Sequence, residues 1–216
     1  KSPGNTLEIL FHVGTLGSVV FVFFDDIKDI FNTIDKKPTQ KLLVFISIAT
    51  LPAMVIGLLF RHEIKLLFDS VDSVGYALCL TGLILIFSAF SNNQNRNFSF
   101  YSSLIIGFVQ AFAIIPGISR SGFTIVASLF LGISPKKSAK FSFLLSIPII
   151  FGAGLLGSYD LQMENLFTFS TIMAALLSSF LIGILALKTL LKLLKQGKFY
   201  FFGIYCIFIG IISIIS

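Results

Sequence analysis

The chain has 216 residues, of which 56% are hydrophobic and only 12% are charged, and its mean hydropathy is +0.96. Soluble globular domains carry about 25% charged residues, so this composition excludes an ordinary soluble domain and predicts an all-α polytopic membrane protein. The net charge of +6 does not imply a nucleic-acid partner, because the lysines lie in short loops between apolar segments, where they are typical of membrane orientation signals.

Apolar runs follow one another along the whole chain. They occupy residues 7–24, 42–60, 74–90, 101–115, 122–132, 139–157, 168–187 and 199–215. Most are long enough to cross a hydrocarbon layer of roughly 30 Å. The runs at 101–115 and 122–132 are too short to cross alone, and they flank the pair Pro116-Gly117. We therefore predict a re-entrant helix pair that is broken at Pro116-Gly117.

The distribution of basic residues supports a pair of arms that enter and leave on one side. With such a pair, the loops 25–41, 91–99, 133–140 and 188–198 share a side and carry 12 Lys and Arg residues. The opposite side carries 3. The positive-inside rule then predicts that the C-terminus lies outside the cell, although two full crossings would give the same count.

Arg120 is a permanent cation between two apolar arms. An arginine at membrane depth costs at least ~2.5 kcal/mol, so it marks a functional site by default. Ser119 and Ser121 supply hydroxyls beside it, and Gly117 and Gly122 permit close approach of the backbone. An N-terminus of the second arm near these residues would add free N–H groups and a positive dipole end. The pattern predicts an oxyanion site, the alternative being an Arg120 that pairs with a buried carboxylate.

A few other polar residues lie inside or beside the apolar runs. Glu8 and His12 are four residues apart and share one face of a predicted helix, where Glu8 has either a capping or a site role. Gln110 either presents its amide to a cavity or bonds helices together. Residues 25–29 are predicted to form a solvated polar loop.

Several stretches resemble one family of membrane enzymes. The matching stretches are Pro116-Gly117-Ile118-Ser119-Arg120-Ser121-Gly122-Phe123-Thr124, Leu131-Gly132-Ile133-Ser134, Phe141-Ser142-Phe143-Leu144-Leu145-Ser146-Ile147-Pro148 and Leu7-Glu8-Ile9-Leu10-Phe11-His12-Val13-Gly14-Thr15-Leu16. The string from Pro116 to Gly122 is the highly specific one. Together with Lys188-Thr189-Leu190, these stretches resemble the undecaprenyl pyrophosphate phosphatase family, which is also linked to bacitracin resistance. The resemblance covers essentially the whole chain.

The resemblance implies an inverted-repeat helical bundle in the bacterial plasma membrane, with its active site open to the extracytoplasmic side. Each repeat of the family has a re-entrant helix pair and three crossing helices. On this basis residues 1–100 would be the remainder of the first repeat. Residues 101–216 would be the second repeat, with its re-entrant pair at 101–132.

The resemblance also implies hydrolysis of undecaprenyl pyrophosphate to undecaprenyl phosphate and phosphate, which recycles the lipid carrier for peptidoglycan synthesis. The partners would be this isoprenyl pyrophosphate lipid and membrane lipids. The implied catalytic residues are Arg120, Ser119 and Ser121. The implied phosphate-binding residues are Gly117, Gly122 and Thr124. The implied supporting residues are Glu8, Gln110 and Pro116.

The chain departs from the family at its beginning. A Glu-x-x-x-Glu pair and a Ser-Ser-x-Gly-His string are absent, so one re-entrant pair is expected to be missing. A divalent cation, Mg²⁺ or Ca²⁺, would then find its ligands in that missing segment. Two alternatives to an active phosphatase stay open. One is a transporter or flippase of anionic lipids, and the other is an inactive fragment of the phosphatase.

Overall fold

A computed structural model describes residues 3–60, 63, 71–92, 94–160 and 168–215. It describes side chains within 10–60, 63, 73–92, 94–152 and 168–215. The helices are α1 Pro3–Val22, α2 Phe24–Asn32, α3 Lys37–Leu59, α4 Val71–Phe87, α5 Phe100–Phe112, α6 Arg120–Phe130, α7 Pro135–Asp160, α8 Phe169–Lys195 and α9 Tyr200–Ile215. Within these described ranges the only β pairing is an isolated bridge between Arg96 and Ile133. The predicted all-α class is confirmed.

Several of these helices are long and apolar enough to cross a membrane. Among the described residues three qualify, at Lys37–Leu59, Ser73–Phe90 and Phe169–Lys195. A fourth span is possible where Leu10–Val22 and Phe24–Asn32 form a pair bent by 68°. Only buried or lipid-facing segments can carry so many apolar side chains in a helix. The protein is an all-α multi-pass membrane protein, as predicted.

The predicted polar loop at residues 25–29 is wrong, because this segment lies in α2. Ile27, Ile30 and Phe31 recur at the spacing of one helix face, while the aspartates and Lys28 occupy the other positions. Such a pattern stabilises an amphipathic helix even where charged residues are frequent. The predicted loop at 188–198 is also shorter than expected, since α8 continues to Lys195.

The described residues fall into two compact units. The first unit lies within 1–34 and 146–191 and contains α1, α2, the second half of α7 and most of α8. A Cβ atom on Gly183 would overlap the side chain of Ser18. The rings of Phe21 and Phe180 meet edge to face, with centroids 5.8 Å apart. Small residues therefore let α1 and α8 pack closely, as in other membrane helix pairs.

The second unit lies within 35–145 and 192–216. Its core contains the fully buried residues Ala49, Ile106, Phe141 and Leu145, which come from α3, α5 and α7. Phe98 stacks on Phe141 with ring centroids 4.1 Å apart. This core joins α5 to α3 and α7.

Helices α4 and α9 of the second unit touch through their backbones. A Cβ atom on Gly82 would lie 2.6 Å from the carbonyl oxygen of Gly203, and one on Gly210 would lie 2.8 Å from that of Gly75. The glycines on each helix are seven residues apart, so they share one face. The close contact holds α4 firmly, and α4 is the helix that contacts the break between α5 and α6.

Candidate anion-binding site

The helix break predicted at Pro116-Gly117 is present. Helix α5 ends at Phe112 and α6 begins at Arg120. Gly117 has φ +88°, and a Cβ atom there would lie 2.6 Å from the carbonyl oxygen of Val74 on α4. Both the backbone conformation and the lack of space require glycine. Pro116 beside it is buried. Because proline has no backbone N–H, it cannot donate the hydrogen bond that would continue a helix.

Thr81 on α4 bridges two backbone groups of this break. Its hydroxyl donates to the carbonyl oxygen of Gly117 at 3.2 Å and accepts from the N–H of Ser119 at 3.1 Å. Thr81 is 0% exposed. Sequence reasoning missed this residue, and the available signal was a hydroxyl next to Gly82 in the middle of an apolar run.

The N-terminus of α6 retains two unpaired N–H groups. The side chain of Ser119 caps the helix by accepting from the N–H of Gly122 at 3.2 Å, and the carbonyl of Ser119 accepts from Phe123 at 2.9 Å. The N–H groups of Arg120 and Ser121 have no partner in the described part of the chain. These two donors, at the positive end of the helix dipole, are available to an anion.

Arg120 places its charge at the same helix end. One guanidinium nitrogen, Nη1, is buried and has no hydrogen-bond partner among the described residues. A buried donor without an acceptor is costly, so native proteins rarely keep one without a ligand or a function. The alternative that a carboxylate pairs with Nη1 finds no support in the described ranges. Arg120 and these two N–H groups thus form a candidate anion-binding site.

Hydroxyl groups inside the second unit anchor α6 to α7. Thr124, 1% exposed, lies with its Oγ1 2.6 Å from Oγ of Ser142, and it also contacts the carbonyl oxygens of Arg120 and Ser121. The Thr124 hydroxyl is therefore engaged within the protein, one turn below the helix end. Its phosphate contact stays a prediction, while its observed contacts fix the direction of α6.

The two remaining predicted residues of the turn, Ser121 and Gly122, differ in whether they can donate a hydrogen bond to a ligand. No hydrogen bond among the described residues engages the Ser121 hydroxyl. The N–H of Gly122 is occupied by the Ser119 cap. A Cβ atom on Gly122 would lie 3.1 Å from Cδ2 of Leu85, so this glycine lets α6 approach α4. Ser121 can still donate to a ligand, whereas Gly122 contributes by its small size.

A family profile described as "Bacitracin resistance protein BacA" matches residues 1–212. This chain belongs to the BacA family.

Relatives of this BacA-family chain carry one name, undecaprenyl-diphosphatase. The protein from Halothermothrix orenii is 40% identical over 97% of this chain and 82% of its own length. Those from Alkaliphilus metalliredigens and Methanosphaera stadtmanae are 38% and 34% identical, over 97% and 98% of this chain and 83% and 84% of their own lengths. The predicted family resemblance is confirmed.

Two of the predicted supporting residues of the BacA-family chain belong to other helices, Gln110 to α5 and Glu8 to α1. Gln110 is 1% exposed, and its Nε2 donates to the carbonyl oxygen of Ala49 at 3.1 Å. This bond joins α5 to α3 one turn before Pro52, which lacks an N–H of its own. Glu8 lies in α1 of the first unit, and its side chain is outside the described residues.

An apolar groove runs along α4, α5 and α6 of this BacA-family chain. It has a volume of about 400 Å³. Its lining residues are Ile84, Phe87, Val109, Phe112, Phe123, Val126, Ala127 and Phe130. Phe123 follows Arg120 by less than one helical turn. Helix α6 therefore carries both a part of the apolar groove and the cationic helix end.

The described side chains do not form a metal centre. Among them, no three His, Cys, Asp or Glu residues lie close enough together to hold a metal ion. The donor set around Arg120 is cationic and hydroxylic, which does not suit Mg²⁺ or Ca²⁺. No chemical step is therefore assigned to a metal.

Proposed function

We propose that this chain hydrolyses undecaprenyl pyrophosphate to undecaprenyl phosphate and inorganic phosphate, and so returns a lipid carrier to peptidoglycan synthesis. Membership of the BacA family and the name of its relatives support the reaction. The observation that carries the proposal is the buried Nη1 of Arg120, which, like the N–H groups of Arg120 and Ser121, has no partner among the described residues. A pyrophosphate group would satisfy all three donors.

The chemistry requires little covalent participation by the protein. Water attacks the terminal phosphorus, the bond to the bridging oxygen breaks, and the lipid phosphate leaves with the bonding electrons. Negative charge develops on the oxygens during this step, and catalysis consists mainly of positioning and neutralising that charge. In the proposal Arg120 and the N–H groups of Arg120 and Ser121 bind these oxygens, while the hydroxyls of Ser119 and Ser121 donate further hydrogen bonds.

The apolar groove supports a lipid rather than a free pyrophosphate as substrate. Its lining contains only apolar side chains, four of them phenylalanines. A prenyl chain would replace membrane lipid there at little cost, while its charged end would lie at the α6 terminus. A prenyl pyrophosphate therefore contacts both the apolar groove and the cationic α6 terminus.

The proposed location is the plasma membrane, with the site facing the extracytoplasmic side and the C-terminus outside. The 12 basic residues on one predicted side against 3 on the other support this orientation. A reporter enzyme that is active only outside the cytoplasm, fused after Ser216, is expected to be active. A fusion that is active only in the cytoplasm would contradict the orientation.

The first test is phosphate release from undecaprenyl pyrophosphate by the chain purified in detergent. We expect release of one phosphate per lipid and accumulation of undecaprenyl phosphate. Lipid binding should be measured in parallel with the same substrate. Binding without release would contradict hydrolysis by this chain and would leave a transporter of anionic lipids or an inactive fragment of the phosphatase. Absence of both would reject the pyrophosphate site itself.

A further inference from the structure

We infer that Thr81 is a positioning residue for the pyrophosphate site, an inference that rests on the proposed function. Its single hydroxyl bonds to Gly117 and Ser119, the residues on either side of Ile118. Both bonds link α4 to the segment that precedes Arg120. Thr81 touches the backbone of the turn, and its effect on substrate would be exerted through the position of Arg120.

The hydrogen bonding of Thr81 differs from that of three other helix threonines, Thr15, Thr50 and Thr189. The hydroxyls of Thr15, Thr50 and Thr189 each donate to the carbonyl of the residue four positions earlier in their own helix, at 2.8 Å. This local bond is the usual choice for threonine in an apolar helix. The Thr81 hydroxyl instead bonds across to another segment, as both donor and acceptor. Such a bridge is specific to the turn.

The position of Thr81 is itself well determined. The next residue, Gly82, contacts the backbone of α9 at Gly203, so α4 cannot shift there without a clash. The Thr81 side chain is fully buried, and water cannot replace its hydroxyl without a rearrangement. The bridge also occupies the N–H of Ser119, while the N–H groups of Arg120 and Ser121 have no partner among the described residues. Thr81 therefore fixes the backbone that leads into the helix end.

The test compares Thr81→Val, which keeps the shape and removes the hydroxyl, with Thr81→Ser, which keeps the hydroxyl. Thr50→Val is the matched control, because it removes a hydroxyl that bonds only within α3. Misplacement of catalytic groups by about 1 Å costs on the order of 100-fold in rate. We expect a loss of that order in kcat/KM for phosphate release with Thr81→Val, including a raised KM. Thr81→Ser should recover most of the activity, and Thr50→Val should stay close to the parent.

Hydrogen exchange of the peptide that contains Ser119 gives a readout that does not depend on turnover. Thr81→Val removes the acceptor of the Ser119 N–H, so exchange at 117–122 should become faster, while Thr50→Val should leave it unchanged. If the parent neither releases phosphate nor binds undecaprenyl pyrophosphate, the proposed function fails, and the positioning role fails with it. If the parent is active and Thr81→Val matches it in kcat/KM and exchange, only the inference about Thr81 is overturned.

Two further outcomes also decide the question. A loss of kcat at unchanged KM that follows the loss of folded protein would indicate a structural role and overturn the inference. Thr81→Ser as inactive as Thr81→Val would mean that the methyl group rather than the hydroxyl matters, which overturns it as well. If Thr81→Val does not fold, Thr81→Ala removes the same hydroxyl with less bulk and replaces it in each comparison.

Discussion

Replacement of Arg120 by alanine is expected to reduce kcat/KM for phosphate release from undecaprenyl pyrophosphate by at least on the order of 10²–10³. The buried Nη1 has no partner among the described residues, so it contributes to function only through a ligand. Removing it takes away a full charge where negative charge develops on the substrate. The loss should appear in both kcat and KM, because the same donors bind the ground state and the transition state.

Arg120→Lys separates charge from geometry at this position. Lysine keeps the positive charge but lacks the planar fork that binds two oxygens at once. We expect it to restore substrate binding in part, with kcat still well below that of the parent. Arg96→Ala is the matched control, since Arg96 is an exposed arginine in the loop before α5. Full activity of Arg120→Ala, or an equal loss with Arg96→Ala, would contradict the assigned site.

Gly117→Ala is expected to disrupt the helix break and with it both folding yield and phosphate release. A left-handed conformation costs a non-glycine residue roughly 1–2 kcal/mol. The added Cβ would also lie 2.6 Å from the carbonyl oxygen of Val74 and 2.9 Å from Cβ of Ala77. This overlap involves the backbone of α4, which the α9 glycines hold in place, so it cannot be relieved by a side-chain rotation. Thermal unfolding in detergent, together with the phosphate assay, measures both consequences.

Gly197→Ala provides the control for this substitution. Gly197 also has a positive φ, +69°, but a Cβ atom there would meet nothing within 4 Å. It reports the backbone strain alone, so its effect on the unfolding temperature should be clearly smaller. Gly152→Ala, in helix α7 and also with open space, should be close to neutral. Similar losses with Gly117→Ala and Gly197→Ala would show that contact with α4 is unimportant.

Several structural elements each make a different contribution to the candidate site. The break between α5 and α6 frees the N–H groups, and Arg120 adds charge. Helix α4 fixes the break through Thr81 and the close approach at Gly117. Helix α7 fixes the direction of α6 through Ser142. Together these contacts hold a buried guanidinium whose Nη1 has no hydrogen-bond partner among the described residues.

The sequence by itself determined the class of protein, the helix break and the residue at its centre. Composition and the length of the apolar runs were enough to predict an all-α membrane protein, because an apolar helix pairs all of its backbone hydrogen-bonding groups within itself in lipid. Pro116 and Gly117 marked the break, since their conformational limits act locally. Arg120 marked the site, since an arginine between apolar arms has few other uses. The start of α6 near Ser119 was also predicted, since the second arm was expected to begin just after the break.

Only the tertiary structure decided which polar groups of the site are occupied and which are free. Thr81 lies 36 residues before Gly117, and Gln110 lies 61 residues after Ala49. Local pattern cannot predict such bonds, because a threonine in a helix can equally bond to its own backbone, as Thr50 does. The packing of α4, α5 and α7 around α6 determines which of these hydrogen bonds form. It brings Thr81 to the N–H of Ser119, whereas the N–H of Gly122 is occupied by the local Ser119 cap, and those of Arg120 and Ser121 have no partner among the described residues.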